Sequence, residues 1–417
     1  MAVLRVILLA ALLGLCLGKK RYDGYKVLRI TPGDDFQLRS IADLKRGLET
    51  RVDFWAEPTH VGKSVDLMVA PDDADSVQEF LAQHGLESTV TINDVQKVIE
   101  ETSPERPEEN LAALSNFRYD LYHSLGEILT WMSDVAGEYP NIAKTENIGS
   151  SYEGRDLTLL KLGKSGSNKP IFWLMSGTHA REWLSPATLL KMVDLLLTGY
   201  GSDSEITNLL DKVDFYWMPI ANPDGYEYSR SSDRLWRKTR GKTSSSWCTG
   251  ADPNRNWDDH WDDPASSTYA CGQTYRGLAP FSEACVDVVS KYLLGLTGVE
   301  VFIDMHAYSQ FWMTPYGWTT SLPSNYQAQK NLADSAMAAL KAVNGLSFQT
   351  GSIANVIYVA PGSSADWAYS KANIPYCFAP ELRDTGNYGF LMPEQYIYSS
   401  AMEVFAAIKV IGNHIIP

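Results

Sequence analysis

From about residue 111 to residue 417, segments with the apolar spacing of helices alternate with short, nearly continuous apolar runs. LGEILTWMSDVAGEY and PATLLKMVDLLLTGY carry apolar residues at helical spacing, whereas KPIFWLMSG and EVFIDMHAYS are typical of buried strands. This alternation predicts one α/β domain with a large, mixed but mostly parallel sheet flanked by helices. Ligands bind such sheets outside the carboxyl ends of the strands, so residues at those ends are the first candidates for a functional site.

Residues 25–97 follow a different and more compact pattern. Four short strands (YKVLRI, VDFWA, VDLMVA and STVTI) are interrupted by two amphipathic helices, in the order βαββαβ. This order predicts a ferredoxin-like unit. The acidic, proline-bearing segment VQKVIEETSPERPEEN then predicts a connecting helix that runs into an exposed linker, so the chain divides into residues 19–110 and residues 111–417.

The chain begins with MAVLRVILLAALLGLCLGKK, in which Arg5 precedes an apolar run over residues 6–15. The run is too short to span a bilayer, and Cys16 and Gly18 are small residues suited to cleavage after Gly18. We therefore predict that residues 1–18 are a secretory signal and that the protein is secreted and extracellular. A membrane anchor is the alternative, but no later apolar run is long enough for a membrane span.

The charge balance bears on possible partners. The chain has 36 Lys and Arg residues against 50 Asp and Glu residues, which gives a net charge of −14. Neither of the two parts of the chain offers a basic surface for phosphate groups, so we expect no nucleic-acid partner.

Loss of the signal would remove Cys16 and leave four cysteines in the secreted chain. In an oxidising compartment four cysteines allow three pairings, and a bond between Cys248 and Cys271 would close a short loop. The sequence by itself leaves the pairing open, including that of Cys285 and Cys377.

Three residues able to bind a metal stand at the ends of predicted strands. His179 and Glu182 follow the strand IFWLM in the stretch GTHAREWLSP, and His306 follows VFIDM. A catalytic zinc takes three protein ligands of the His and carboxylate type and keeps a fourth position open. A close pair and one distant ligand fit that requirement, although His179 alone could equally be a hydrogen-bonded loop histidine.

Four further segments add chemistry to this set, and each has an ordinary structural alternative. RLWRKTR could be a basic surface stretch, DPNRNW an Asx-rich turn, SIANVIYVAPGSSADW a mobile loop, and the glutamate of PELRDTG a partner of Arg383. Together they could supply a carbonyl polariser, a clamp for a carboxylate, and a base. The combination with the metal ligands favours a catalytic site over the separate alternatives.

Four blocks of the large domain together resemble a known family. They are similar to the signature blocks of the zinc metallocarboxypeptidases of the pancreatic procarboxypeptidase A/B family, in particular the carboxypeptidase A type: HARE at 179–182, PNRNW at 253–257, HAY at 306–308 and ELRDTG at 381–386. The resemblance runs from about residue 25 to the C-terminus, and the βαββαβ unit resembles that family's activation domain. It implies a metallocarboxypeptidase fold for residues 111–417, and an activation pro-domain with its connecting segment at residues 19–110.

The resemblance also implies a cofactor and partners. They are one Zn²⁺ per chain, peptide and protein C-termini as substrates, and an activating endoprotease, for a monomeric zymogen that acts in the digestive lumen. In that family a trypsin-like enzyme releases the pro-domain. Arg106 is the only basic residue between Lys97 and Arg118 and is followed by Pro107, so we expect slow or different activation near residues 107–111.

The family's metal-site roles carry over to matching positions. The resemblance implies that His179, Glu182 and His306 bind zinc. Asp252 would orient His179, since a carboxylate behind a ligating histidine fixes its tautomer. Arg181, between the two close ligands, would contact the peptide substrate further along its chain.

The remaining roles concern substrate and catalysis. Asn254 and Arg255 would hold the free α-carboxylate of the substrate, and Tyr358 would close over its last residue. Arg237 would polarise the scissile carbonyl and stabilise the oxyanion. Glu381 would act as the base that takes a proton from water and later passes it to the leaving amine.

The resemblance also implies two covalent features of the chain, a disulfide and a set of cis peptide bonds. It implies a disulfide between Cys248 and Cys271, whereas Cys285 and Cys377 match no family pair. It also implies three cis peptide bonds that do not involve the nitrogen of proline: Ala307–Tyr308, Pro315–Tyr316 and Arg383–Asp384.

The specificity pocket implied by the resemblance is lined by small and apolar residues: Met313, Gly317, Ile353, Ile357, Ala365 and Ala379. Family members that select Lys or Arg carry an acid at the position of Ala365, so this chain is expected to prefer aromatic or large aliphatic C-terminal residues. One alternative is a basic preference through Asp304, which lies on the same face of its strand as His306. Asp304 could instead be a partner of the metal site, and a less favoured alternative is a binding protein without catalysis.

Overall fold

The computed structural model describes residues 18–48, 52–104, 114–166 and 168–417. The predicted signal sequence, except for its last residue, and the predicted activation region around Arg106 lie outside these ranges. In the described ranges, no helix combines the length and the apolar character needed to cross a membrane.

The N-terminal domain has the predicted βαββαβ order. Its antiparallel sheet has the strand order β2-β3-β1-β4, with β1 at Lys26–Ile30, β2 at Val52–Ala56, β3 at Val65–Val69 and β4 at Ser88–Ile92. Helices α1 (Asp35–Leu48) and α2 (Pro71–Gln83) pack on the sheet through a separate apolar core that includes Ile41, Leu67 and Val77. The connecting helix α3 (Val95–Thr102) follows, and the side chain of Asp94 caps its first turn.

The large domain is built on an eight-stranded sheet with the order β11-β10-β12-β9-β7-β8-β6-β5. The strands are β5 Ala143–Ser150, β6 Asp156–Leu162, β7 Ile171–Ser176, β8 Asp214–Met218, β9 Val299–Ala307, β10 Phe311–Thr314, β11 Gln349–Ser352 and β12 Tyr376–Leu382. The pairs β7–β8, β7–β9, β9–β12 and β10–β11 are parallel, and β5–β6, β6–β8 and β10–β12 are antiparallel. The predicted mixed α/β architecture is confirmed.

Helices cover both faces of this sheet. They are α4 Leu125–Glu138, α5 Leu184–Gly199, α6 Ser204–Lys212, α7 Pro223–Ser231, α8 Ala284–Leu294, α9 Tyr326–Asn344, the short α10 Ile353–Val356, α11 Ser364–Ser370 and α12 Ile397–His414. One apolar core includes residues of α5, α9 and α12, and a second includes residues of α8 and α11. Every residue of β7 is buried, which explains why IFWLM reads as a continuous apolar run and not as an alternating one.

The covalent features agree with those implied by the family resemblance. Cys248 and Cys271 are bonded, with their Cα atoms 5.1 Å apart. Cys285 and Cys377 are free and buried, and burial raises the pKa of both thiols. The three expected peptide bonds, at Ala307–Tyr308, Pro315–Tyr316 and Arg383–Asp384, are cis.

Candidate active site and metal centre

The candidate metal ligands lie at the carboxyl edge of the sheet. His179 and Glu182 occupy the loop between β7 and α5, and His306 is in β9. Gly177 opens this loop with a φ of +65°, and a Cβ there would meet the carbonyl oxygen of Pro219 at 3.1 Å. Glycine therefore permits the sharp turn that returns the chain to the strand end. In the parallel pair β9–β12, Glu381 stands opposite His306, which brings the candidate base to the same edge.

The three candidate ligands form one compact, buried group. Nδ1 of His179 lies 2.8 Å from Oε1 of Glu182, and Nδ1 of His306 lies 3.0 Å from Oε2 of the same carboxylate. One ligand atom from each residue can be chosen so that all three lie within 4.8 Å of one another. Burial alone would raise the pKa of Glu182, but the two imidazoles outweigh burial and lower it. The carboxylate is therefore kept in the ionised form that binds metals.

Carboxylates also stand behind both imidazole rings. Nε2 of His179 lies 3.0 Å from Oδ1 of Asp252, and Nε2 of His306 lies 3.2 Å from Oδ2 of Asp304. With the hydrogen of each ring on Nε2, the lone pair on Nδ1 is free for a metal. Two imidazole nitrogens and one carboxylate are the ligand set of many catalytic zinc sites, so the residues present fit zinc.

Arg237 lies close to this group. It donates through Nη2 to Oδ2 of Asp252 at 2.8 Å, and its Nη1 lies 3.8 Å from Oε1 of Glu182. Burial alone would lower the pKa of the guanidinium, but the charges of Asp252 and Glu182 outweigh it and raise the pKa. Arg237 is thus a fixed positive charge beside the candidate metal ligands.

Glu381 lines the same cavity and carries an altered acidity. Burial of its carboxyl group raises its pKa to about 8, and the negative charge of Glu182 adds to the rise, while His306 and Arg237 oppose it. A bound cation would also oppose it, because positive charge stabilises the carboxylate. The structural alternative for Glu381, an ion pair with Arg383, is not formed; Arg383 is instead paired with Glu403.

The residues predicted to hold a carboxylate lie next to each other. Nη2 of Arg255 donates to the hydroxyl of Tyr358 at 2.8 Å, and Nη1 donates to the carbonyl of Asn254 at 2.7 Å. The side-chain oxygen of Asn254 accepts from the backbone N–H of Ser364 at 2.8 Å. This arrangement directs a guanidinium and a phenol to the wall of the cavity that contains Glu381.

One cavity of about 330 Å³ is lined by the three candidate metal ligands and by Arg237, Asn254, Arg255, Tyr358 and Glu381. On one side it is lined by the predicted pocket residues Met313, Ile353, Ile357 and Ala379, together with three residues that the sequence reasoning missed: Phe311, Val356 and Ala360. These three are sequence neighbours of predicted residues, but nothing in their spacing distinguishes them as lining residues.

Ala365 and Gly317 are predicted to line the specificity pocket, but neither is among the residues that line the cavity. Ala365 is 1% exposed and packs in the same apolar cluster as Met313 and Ala379, but it is not among the residues that line the cavity. Gly317 is also absent from the lining, and a Cβ on it would meet Ile353 and Ala360 at 3.1 Å. Both residues therefore lie behind the cavity wall.

The N-terminal domain forms the opposite wall of the cavity. It contributes Phe54, Trp55, Ala56, Glu57, Thr59, Lys63, Ser64 and Asp66. Asp66 accepts a hydrogen bond of 3.0 Å from the hydroxyl of Tyr308 and is paired with Arg29, which also donates to the carbonyl of Thr385. Arg181 donates to Asp53 of this domain at 2.5 Å. The small domain therefore lies over the carboxyl edge of the large sheet, where the candidate catalytic groups meet.

Comparisons with known proteins agree with this geometry. Residues 128–407 match the family described as zinc carboxypeptidase, and residues 28–102 match the carboxypeptidase activation peptide. The chain is 38% identical to carboxypeptidase A2 of Rattus norvegicus over 410 residues, and 37% identical to carboxypeptidase A1 of Bos taurus over 412 residues. Each of these alignments covers 98% of both chains.

Solved structures give the same picture. Thrombin activatable fibrinolysis inhibitor superposes with a TM-score of 0.83 at 32% identity, covering 94% of this chain and 98% of that one. Carboxypeptidase A from Helicoverpa armigera has the same TM-score and the same coverage at 26% identity. The chain therefore belongs to the zinc carboxypeptidase family and carries that family's activation domain.

Proposed function

We propose that this chain is the secreted zymogen of an exopeptidase that binds one Zn²⁺ and removes aromatic or large aliphatic residues from peptide C-termini. The observation that supports it best is that one cavity is lined by three features. They are the three candidate metal ligands, the guanidinium of Arg255 and an apolar slot. A C-terminal residue of a substrate presents three groups close together: the reacting carbonyl, the free carboxylate and the side chain. Each of these groups would meet one of the three features of the cavity.

Zinc would be held by Nδ1 of His179, Nδ1 of His306 and the carboxylate of Glu182. When bound there, zinc would act as a Lewis acid toward the scissile carbonyl and would make water more acidic. Asp252 and Arg237 surround the site with fixed charges that do not need to reorganise during the reaction.

Glu381 is proposed as the general base and acid. Its carboxylate takes a proton from the attacking water and later delivers it to the amine that leaves. Arg237 donates hydrogen bonds to the oxygen that gains negative charge as the water adds. The contact of Arg237 with Asp252 keeps the guanidinium at that place before substrate arrives.

Recognition of the free C-terminus is proposed for Arg255, Asn254 and Tyr358. A guanidinium binds a carboxylate through two parallel hydrogen bonds, and the amide of Asn254 can donate a third. The hydroxyl of Tyr358 contacts Arg255 in the zymogen, so substrate would take its place on the guanidinium. The clamp would limit the enzyme to terminal residues, since internal peptide bonds have no carboxylate.

The side-chain preference follows from the slot. A large apolar side chain gains about 1.5–3 kcal/mol when it leaves water for such surroundings. A Lys or Arg side chain would lose hydration without finding an opposite charge. The alternative basic preference would require Asp304 to reach the slot, but Asp304 does not line the cavity, and both of its oxygens accept hydrogen bonds from hydroxyl groups elsewhere.

The N-terminal domain is proposed to keep the enzyme inactive until an endoprotease cuts the connecting segment. Its residues line the cavity together with the candidate catalytic groups, so they would obstruct a peptide that extends past the metal site. Secretion into a digestive lumen and a monomeric state complete the proposal, on the strength of the family resemblance.

The deciding experiment compares hippuryl-Phe with hippuryl-Arg at equal concentration, after proteolytic activation and N-terminal sequencing of the product. We expect faster release of Phe, loss of both activities with a chelator, and recovery with Zn²⁺. Ala365→Asp is the matched variant, and it should shift the preference toward Arg, since it adds a charge behind the slot. Faster release of Arg by the unchanged enzyme would overturn the assigned preference, and activity that survives complete zinc removal would overturn the mechanism.

A further inference from the structure

Asp304 is buried behind one of the candidate zinc ligands. It stands two residues before His306 in β9, so both side chains point to the same face of the strand. Asp304 is 0% exposed and His306 is 2% exposed, and Oδ2 of Asp304 lies 3.2 Å from Nε2 of His306. The carboxylate is therefore shielded from water, and it contacts the imidazole of the candidate ligand His306.

Two hydroxyl groups fix the orientation of this carboxylate. Thr178 donates to Oδ1 at 2.7 Å, and Ser364 donates to Oδ2 at 2.6 Å. Thr178 directly precedes the ligand His179, and Ser364 begins α11. Asp304 is therefore held between three separate parts of the chain, with one oxygen left close to the imidazole of His306.

Ser364 connects Asp304 with Asn254, which belongs to the proposed carboxylate clamp. The backbone N–H of Ser364 donates to the side-chain oxygen of Asn254 at 2.8 Å, while its hydroxyl donates to Asp304. Nδ2 of Asn254 lies 3.3 Å from Nε2 of His306. With Nδ1 of His306 on the proposed metal, the ring hydrogen is on Nε2, and since Nδ2 of Asn254 is itself a donor, the acceptor for that hydrogen is Asp304 and not Asn254.

We propose that Asp304 is a positioning residue for zinc, acting on His306 as Asp252 acts on His179. The carboxylate keeps the ring hydrogen of His306 on Nε2, orients Nδ1 toward the metal, and increases the basicity of that nitrogen. Both histidine ligands are then supported by a buried carboxylate. The inference rests on the proposed zinc site, and it gives Asp304 a role in metal retention in place of a role in side-chain selection.

The test measures zinc affinity of the full, uncleaved chain by competition with a chromophoric chelator. Asp304→Asn and Asp304→Ser should each bind zinc about 10- to 100-fold more weakly than the unchanged chain, the loss typical of carboxylates behind metal ligands. Asp252→Asn provides a positive reference. Asp224→Asn is the matched control, because it removes a carboxylate that is 3% exposed and contacts Ser151 and Arg155, away from the metal ligands.

A second measurement does not depend on affinity or activity. Co²⁺ in place of zinc gives a visible absorption spectrum that reports the ligand geometry, and this spectrum should change in Asp304→Asn but not in Asp224→Asn.

In the activated enzyme, the ratio of hippuryl-Phe to hippuryl-Arg hydrolysis should stay the same in both Asp304 variants under zinc saturation. A shift of that ratio toward Phe would assign Asp304 to side-chain selection and would overturn the proposal.

The outcomes separate this inference from the proposed function. If the unchanged chain binds no zinc, the proposed function fails. If it binds zinc and both Asp304 variants bind within about twofold of it, with an unchanged cobalt spectrum, only the role of Asp304 is overturned. Should circular dichroism show that neither variant folds, Ser364→Ala decides the matter: it removes one of the two hydroxyl groups that fix the orientation of Asp304, so several-fold weaker zinc binding supports the role and unchanged binding refutes it.

Discussion

Nη1 of Arg181 donates a hydrogen bond of 2.5 Å to Oδ2 of Asp53, which joins the loop of the metal ligands to β2 of the activation domain. Arg181 is 1% exposed, and its guanidinium also stacks 4.0 Å above the ring of Phe390. Trp55 of the activation domain packs against the same ring, with the centroids 5.2 Å apart. A residue that the family resemblance assigns to peptide binding is thus occupied by a carboxylate of the same chain.

This contact predicts that Asp53 helps to keep the uncleaved chain inactive. A hydrogen bond to a charged group contributes about 1.5–3 kcal/mol, which corresponds to about a 10- to 100-fold change in an equilibrium. In Asp53→Asn, the domain should separate from the cavity more often, so hydrolysis of a pentapeptide by the uncleaved chain should increase. Asp72→Asn changes an exposed carboxylate on α2 and serves as control. Equal rates for the two variants would remove Asp53 from the inhibitory contact.

Glu381 is expected to be indispensable for turnover but not for metal binding. Glu381→Gln keeps the shape of the side chain and removes its ability to accept a proton, so kcat should fall by at least about 10²–10⁴. The zinc content of the purified variant should equal that of the unchanged protein, because Glu381 is not one of the three proposed ligands. A variant with full zinc and near-normal kcat would mean that another group carries the proton.

Arg255 is expected to make the enzyme an exopeptidase. Loss of one partner of a buried ion pair costs about 2–5 kcal/mol, so Arg255→Ala should lower kcat/KM for free C-termini by about 30-fold to several thousand-fold. Arg255→Lys should recover little of the loss, since an ammonium group cannot form the paired hydrogen bonds of a guanidinium. For the unchanged enzyme, a C-terminally amidated peptide should be a poor substrate. Equal cleavage of amidated and free peptides would contradict the clamp.

The sequence predicted what depends on local pattern. Alternating apolar runs and helical spacing were enough for both sheets, and residues at strand ends such as His306 and Glu381 were placed correctly because parallel strands share one edge. The pair of His179 and Glu182 followed from a single turn. These predictions rest on period and position within an element, which the order of residues determines directly.

Contacts between distant segments were not predictable in this way. Asp304 shares a face with His306, but its orientation is decided by the hydroxyls of Thr178 and Ser364, which belong to other elements. Whether Ala365 lines the cavity or lies behind its wall depends on the start of α11 and on the side chains packed in front of it. The pair of Asp53 and Arg181 depends on how two domains are docked, which no sequence period encodes.

The carboxyl group of Asp366 is buried and should make the stability of the protein depend on pH. Its carboxylate accepts hydrogen bonds from the backbone N–H groups of Gly317 and Trp318, at 2.8 Å and 2.9 Å. Burial nevertheless raises its pKa to about 7, with a further contribution from Asp259. In the unfolded chain an aspartate titrates near about 3.9. Between these values the folded chain holds a proton that the unfolded chain has released, so the free energy of unfolding falls as pH rises from about 4 to about 7.

Asp366→Asn cannot ionise, so this contribution to the pH dependence should disappear. The amide oxygen of the variant can take the place of Oδ2, which accepts from both backbone N–H groups, and the effect of the NH₂ group at the place of Oδ1 does not depend on pH. The informative quantity is therefore the difference in the free energy of unfolding between the variant and the unchanged protein. This difference should move in favour of the variant as pH rises and become constant above about pH 7. Each unit of pKa shift accounts for at most about 1.4 kcal/mol of this change. Thermal unfolding of both zinc-saturated proteins at about pH 4.5 and about pH 7.5 measures it, and a difference that is the same at both pH values would show that Asp366 does not titrate in this range.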